Sequence, residues 1–244
     1  EPEAQAGTLI DLAEVQETVL NDLPAAVESY RRVLEINSDS VKALDALARL
    51  REQAGQWADL VQAIDRRAAI TDDPEESIAL KKRVGQVQET ALGDSASAID
   101  TYRDILGQEP TDRDALSALE RLYLADNQID EHLEILEAQL DATSEVVEQI
   151  DIYDRMANAM IERANDSERA CEVLEKIIML DQTRDVTYRR LEELYLQLER
   201  WTELVETYRS HIEATPETLD KITLLLAMGE IYEKNVEDVD RAIE

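Results

Sequence analysis

The 244-residue sequence contains no phenylalanine and only one cysteine, two histidines, five prolines and six glycines. The single cysteine, Cys171, excludes an internal disulfide framework and agrees with a reducing compartment. Since glycine and proline are scarce and the apolar residues are mostly leucine, alanine, isoleucine and valine, the composition is typical of a helical protein.

Long hydrophobic runs are also missing. No stretch approaches the roughly 18 to 20 uninterrupted apolar residues that cross a bilayer. The first residues, Glu1 to Gln5, are acidic and polar, whereas a secretory leader has a basic segment followed by an apolar one. The sequence therefore predicts no direct membrane insertion and a cytoplasmic location.

Basic residues are the minority among the charged ones. The chain has 56 acidic and 25 basic residues, which give a formal net charge of −31. This charge opposes binding to phosphate backbones and to anionic membranes, so we expect no nucleic-acid ligand. Such an acidic composition is typical both of proteins adapted to high salt and of solvated outer faces on many helices.

The residue patterns of catalytic and metal centres are absent from the sequence. His132 and His211 stand far apart, and neither a Cys-x-x-Cys nor a His-Glu-x-x-His pattern occurs. The glycines are solitary, which excludes a glycine-rich phosphate loop. We therefore expect structural or surface histidines, no metal, no cofactor and no catalysis.

What the sequence does contain is a repeat of 72 residues. Alanines stand at this spacing, at Ala26, Ala98, Ala170 and Ala242. Other columns keep the same step: Tyr30, Tyr102 and Leu174; Val33, Ile105 and Ile177; Leu50, Leu122 and Leu194; and Trp57, Ile129 and Trp201. A period shared by many apolar positions predicts an array of packed units.

Cys171 stands beside one of these alanines, so we expect it to be a small buried apolar residue.

Each unit has helical apolar spacing throughout. In the second unit, Pro74 precedes a stripe that extends to Leu92, and Gly93, Asp94 and Ser95 supply a helix stop and a new N-cap. Two further helices are predicted from Thr111 and from Gln128, which makes two hairpins a unit. About fourteen helices are predicted in all, the last two being Glu217 to Asn235 and a stub beginning near Asp238.

No glycine-rich, serine-rich or proline-rich linker interrupts the array. We therefore expect residues 1–244 to form one continuous solenoid. The predicted units are about 4–72, 73–143, 144–215 and a partial 216–244. Since no initiator methionine is present and the chain ends just inside a new repeat, we expect a fragment of a longer protein.

A known family pattern stands out between residues 85 and 110. Gly85, Ala98, Tyr102, Ile105 and Pro110 are placed much like the glycine, alanine, aromatic, apolar and terminal proline residues of a tetratricopeptide repeat. The chain thus resembles that family, with two divergent repeats in each 72-residue unit. The resemblance implies an all-α, right-handed solenoid of antiparallel helical hairpins, whose first helices line a concave groove for peptides or partner helices.

Six basic residues on first helices are candidates for contact with a partner in that groove. They are Lys42, Arg49, Lys82, Arg121, Arg189 and Arg190. In an otherwise acidic protein such residues are suited to an acidic peptide. The alternative is that they pair along their own helices, as Asp45 is spaced to do with Arg49.

The predicted function is a non-catalytic protein–protein interaction scaffold that binds a peptide or a partner helix. Self-association through the repeat ends is a further possibility that the sequence allows. One alternative is a regulatory or docking arm of a larger enzyme or multiprotein machine. A minor alternative is an acidic mimic of nucleic acid that occupies a basic protein.

Overall fold

The structure is a computed structural model that describes residues 2–236. Thirteen α-helices lie in this range, and π-helical segments at Met160–Ala164 and Tyr232–Val236 directly follow α9 and α13. The helices are α1 (Pro2–Thr18), α2 (Leu23–Ile36), α3 (Val41–Gln53), α4 (Trp57–Ile70), α5 (Pro74–Thr90), α6 (Ser95–Gln108), α7 (Arg113–Ala125), α8 (Ile129–Asp141), α9 (Val146–Ala159), α10 (Ser167–Leu180), α11 (Asp185–Gln197), α12 (Trp201–Ala214) and α13 (Thr218–Ile231). The predicted all-α class is confirmed. The fourteenth helix, near Asp238, and the alanine Ala242 lie outside the described residues.

The chain divides into two compact units, Glu1–Asp126 and Asn127–Glu244. Within the first unit each helix from α1 to α7 packs on the next one along the chain, and the same holds from α8 to α13 in the second. Packing between successive antiparallel helices is the architecture of an α-solenoid, so the predicted fold class is confirmed. The continuity of one solenoid over residues 1–244 stays a prediction.

Left-handed backbone conformations recur with the 72-residue period. The first set follows the first helix of each pair of hairpins: Asn21 (φ 51°), Gly93 (φ 66°) and Asn165 (φ 52°). The next residue is an aspartate each time, and its carboxylate accepts the backbone N–H three residues later, at 3.1, 3.0 and 3.1 Å. The left-handed residue ends one helix and the aspartate caps the next, so the predicted punctuation is confirmed.

The second set of left-handed residues precedes the helices that begin with Trp57, Ile129 and Trp201. Its members are Gly55 (φ 66°), Asn127 (φ 56°) and Glu199 (φ 56°). Glycine, which has no Cβ, and asparagine both tolerate a positive φ, whereas glutamate adopts it only at a cost in free energy. Glu199 therefore holds a conformation that costs free energy.

The alanine column lies where helices cross. Ala26, Ala98 and Ala170 have no exposed surface, and the corresponding small residues on the preceding helix are Ala13, Gly85 and Ala157, all of them buried. A Cβ added to Gly85 would lie 2.7 Å from Cζ of Tyr102. The small side chains thus let two helices and an aromatic ring approach closely.

Two apolar clusters form the cores. One contains Leu47, Leu60 and Ile64 with partly buried Trp57 against it, and the other contains Leu174, Leu191 and Leu204 with partly buried Trp201 against it. The recurring tryptophans therefore pack hairpin on hairpin. Cys171 is fully buried in the second cluster, as expected, and burial raises the pKa of its thiol to about 11.

We expect Glu199→Gly to raise the free energy of unfolding by about 1 kcal/mol, because glycine adopts a positive φ without a Cβ clash. Urea unfolding followed by circular dichroism measures this. Glu199→Ala is the matched control, since alanine keeps the Cβ. An equal gain from Glu199→Ala would assign the effect to the lost charge and contradict the backbone explanation.

We expect the Cys171 thiol to stay unreactive toward a chromogenic disulfide reagent at pH 8, because it is buried and protonated there. The same reagent should consume one thiol per chain after unfolding in urea. Rapid stoichiometric reaction of the native protein would show that the second cluster opens around α10.

Candidate partner-binding surface

The six candidate residues lie on first helices of hairpins, as predicted. Lys42 and Arg49 are on α3, Lys82 is on α5, Arg121 is on α7, and Arg189 and Arg190 are on α11. Four of them thus belong to the first compact unit and two to the second.

Two of the arginines make the same ion pair at equivalent positions. Arg49 binds Glu17 with both terminal nitrogens, and Arg121 binds Glu89 likewise, with Nη2–Oε2 distances of 3.0 and 2.7 Å. Both pairs join residues 32 positions apart and connect the first helices of neighbouring hairpins. The hydrogen bond from Arg121 lowers the pKa of Glu89 although partial burial of the carboxylate acts in the opposite direction.

The guanidinium groups of these two pairs stay accessible. The side chains of Arg49 and Arg121 are 51% and 59% exposed, whereas those of Glu17 and Glu89 are 10% and 16% exposed. A guanidinium has five N–H donors, of which a bidentate carboxylate uses two. Each arginine therefore keeps donors for a further ligand.

Lys82 and Arg190 connect helices in a comparable way. The ammonium group of Lys82 lies 2.7 Å from Asp112 and 2.6 Å from Asp114. Burial alone would lower the pKa of Lys82, but hydrogen bonds to both carboxylates raise it above its usual value. Arg190 donates to Asp154 at 3.0 Å and to Asn158 at 2.7 Å. The acidic partners of the candidate residues thus come mostly from another helix.

Pairing along one helix occurs at Arg189, whose Nε lies 2.9 Å from Asp185 four residues earlier. Arg49 does not pair with Asp45; that carboxylate lies 3.4 Å from Arg67. Lys42 is exposed and makes no ion pair among residues 2–236. Of the six candidates it is the one whose charge is not already matched within that range.

The structure brings Lys42 and Arg49 together in one cleft of about 730 Å³ between α1, α2 and α3. Tyr30, Glu14 and Glu17 also line it. Arg49 lines a second, smaller cleft of about 170 Å³ between α3, α4 and α5 as well. This pair of clefts, sharing Arg49, is the candidate partner-binding surface of the first unit.

The first two 72-residue repeats share a side-chain hydrogen bond and an ion pair whose positions hold different residues in the third repeat. Ser29 donates to Gln16 at 2.7 Å and Thr101 donates to Gln88 at 2.8 Å, but the third repeat has Met160 and Val173 at these places. Both of these side chains are buried. The positions of the glutamate–arginine pair become Ile161 and Glu193. Both members change together each time, so each contact behaves as a unit.

His132 and His211 are both buried and both lie in the second unit. The contacts of His211 join two helices. Its ring stacks on Tyr188 at 4.6 Å, Nδ1 lies 2.6 Å from Glu192 and Nε2 lies 3.0 Å from Asp185. Burial raises the pKa of Glu192, although the hydrogen bond with His211 acts in the opposite direction. Since both ring nitrogens are engaged, the histidine serves to join α11 to α12.

Over the part of the chain that the structure describes, no cluster of three or more histidine, cysteine, aspartate or glutamate residues is arranged to hold a metal ion. Within the same part, no helix combines the length and apolar character needed to cross a membrane.

We expect double-mutant cycles on Glu17–Arg49 and on Glu89–Arg121 to give coupling free energies of about 0.5–1 kcal/mol, since the pairs are bidentate but half exposed. Urea unfolding of the alanine variants measures these, and high salt should reduce them. A cycle on Ile161 and Glu193 is the matched control and should give none. Coupling there as large as at the two pairs would contradict the assignment.

The tetratricopeptide repeat family model matches residues 43–77 and 187–222. The two segments occupy corresponding places in the array, from α3 to the start of α5 and from α11 to the start of α13. A search of curated protein sequences gave no match.

Among solved structures, one of Naa15/Naa10 bound to HypK-THB contains a similar chain, with 16% identity and a TM-score of 0.54. The similarity covers 99% of this chain and 37% of that one, so this chain spans little more than a third of its length. A tetratricopeptide repeat protein from Parabacteroides merdae is 16% identical over 98% of this chain and 90% of its own, with a TM-score of 0.42. YrrB, a TPR protein with an unusual peptide-binding site, is 16% identical over 79% and 90%, with a TM-score of 0.41.

The likeness to the Naa15/Naa10 structure agrees with the helical solenoid fold. The two matched segments show tetratricopeptide repeats in this chain, and the predicted resemblance to that family is confirmed.

Proposed function

We propose that this chain is a non-catalytic scaffold that binds a protein segment, either a peptide or a partner helix, on the first helices of its hairpins. The observation that carries the proposal is the pair of clefts sharing Arg49, one of which also contains Lys42, a residue with no ion pair in the described part of the chain. We also propose that the protein is located in the cytoplasm.

Lys42 and Arg49 suit a segment that carries carboxylates, although Glu14, Glu17 and Asp45 also line the larger cleft. Arg49 and Arg121 hold their guanidinium groups in a fixed orientation because a nearly buried glutamate binds each of them. Such preorganisation lowers the entropy lost on binding, and the remaining N–H donors suit a ligand carboxylate.

Binding should be spread over several helices, so that each contact contributes modestly. A half-exposed charge contact is worth up to about 1 kcal/mol, which is roughly fivefold in affinity. Several such contacts along α3, α5 and α7 would give a specific complex without a single dominant residue.

A role as the docking arm of a larger enzyme or assembly would use the same surface. The function proposed for the chain is then the recognition step, and the remainder of the assembly supplies the activity. The structural relative in the Naa15/Naa10 complex bound to HypK-THB is found in a multiprotein assembly, which supports considering this role.

We expect peptides selected against the chain from a displayed library to be acidic and to lose about tenfold in affinity for Lys42→Ala/Arg49→Ala, because two ligand contacts are removed. Fluorescence anisotropy measures this, with salt weakening the wild-type complex. Arg32→Ala is the matched control, since Arg32 is exposed on α2 and does not line either cleft. Unchanged affinity of the double variant at all salt concentrations would contradict the proposal.

A further inference from the structure

A second kind of groove occurs at equivalent places in the two units. The arginine groove lies between α2, α3 and α4, where Arg31, Arg51 and Arg66 surround Leu34, Leu44 and Leu47. The acidic groove lies between α10, α11 and α12, where Glu175, Glu203 and Glu206 surround Ile178, Tyr188 and Leu191. Their volumes are about 280 and 260 Å³, so the array repeats the shape.

The charge of the two grooves is opposite. Three arginines and two carboxylates, Glu35 and Asp59, line the arginine groove, whereas three glutamates and no basic residue line the acidic groove. Arg31 of the arginine groove and Glu175 of the acidic groove are two repeat periods apart, so they occupy equivalent positions. A repeated apolar floor with a reversed rim indicates that the rim is a recognition feature and that the floor is a packing feature.

Two of the three arginines have no carboxylate partner among residues 2–236. Arg51 is held by Asp59 at 3.2 Å and by Gln56. Arg66 donates to the carbonyl oxygen of Ser38 at 2.9 Å, and Arg31 is exposed without a hydrogen bond or ion pair among residues 2–236. Arg31 and Arg66 are therefore free to bind carboxylates that sit above the apolar floor.

The surroundings of the groove do not repel an acidic ligand. The chain as a whole has a net charge of −31, but residues 23–70, which contain the three helices, have seven acidic and seven basic residues. Since charges beyond about 8 Å are screened at physiological ionic strength, this neutral region decides what approaches the groove.

We propose that the arginine groove is a second binding site, separate from the clefts that share Arg49, for an acidic protein segment with an apolar anchor. The anchor is a leucine-sized side chain that enters the space above Leu34, Leu44 and Leu47. Carboxylates on either side of the anchor bind Arg31 and Arg66. The acidic groove excludes the same segment by repulsion from its three glutamates, so recognition is confined to the first unit.

The test uses three fluorescein-labelled hexapeptides with blocked ends: two glutamates, two leucines and two glutamates; the same with alanines in the centre; and the same with lysines at the ends. We expect saturable binding of the first alone, measured by anisotropy on the whole chain. Arg31→Glu/Arg66→Glu should weaken it at least tenfold, and Glu35→Gln should strengthen it about twofold, because a repulsive rim charge is removed.

Arg32→Glu is the matched control for the Arg31→Glu half of the double variant, because it makes the same substitution on α2 outside the groove, and it should leave binding unchanged apart from a small uniform effect. Lys42→Ala/Arg49→Ala separates this site from the proposed function and should leave hexapeptide binding intact. Loss of binding in that variant but not in Arg31→Glu/Arg66→Glu would overturn the proposal. So would no saturable binding, equal binding of the lysine peptide, or sedimentation showing that a second copy of the chain occupies the groove through Arg31 and Arg66.

Discussion

The close crossing of two helices inside the hairpin is the contact on which the rest of this structure depends. Ala26, Ala98 and Ala170 are fully buried there, and a small residue recurs on the preceding helix. A larger side chain at such a crossing would force the helices apart at a cost of about 1–3 kcal/mol. Because each hairpin buries its apolar face against its neighbours along the chain, the displacement would pass to the next hairpin. The crossing therefore fixes where every later helix lies within its unit.

This constraint explains why much of the fold could be predicted from the sequence. The helix predicted from Pro74 toward Leu92 ends at Thr90, and the one predicted from Gln128 begins at Ile129. Packing positions must recur with the repeat, so the apolar columns reveal them. The π-helical segment at Met160–Ala164 was not predicted, because a π-turn changes which carbonyl accepts each N–H while leaving the apolar spacing almost unaltered.

The candidate surface was predictable in position but not in partners. The sequence places Arg49 on a first helix, yet its choice between Asp45 nearby and Glu17 on another helix depends on how the hairpins stack. A signal for the distant partner does exist in the sequence. Glu17 and Glu89 are 72 residues apart, and so are Arg49 and Arg121, so a contact that recurs must move both members by one period. In the third repeat both positions change, to Ile161 and Glu193.

The grooves on α2–α4 and α10–α12 show how such an array acquires different surfaces without losing its fold. Leu47 and Leu191 occupy the same buried place because a cavity in the floor would cost several kcal/mol. Arg31 and Glu175 occupy the same place on the rim, where a substitution typically changes stability by no more than about 0.5 kcal/mol. Across an interface, however, a like charge in place of an opposite one costs a partner several kcal/mol. The rim can therefore change sign at little cost to stability, while its effect on which segment binds is large.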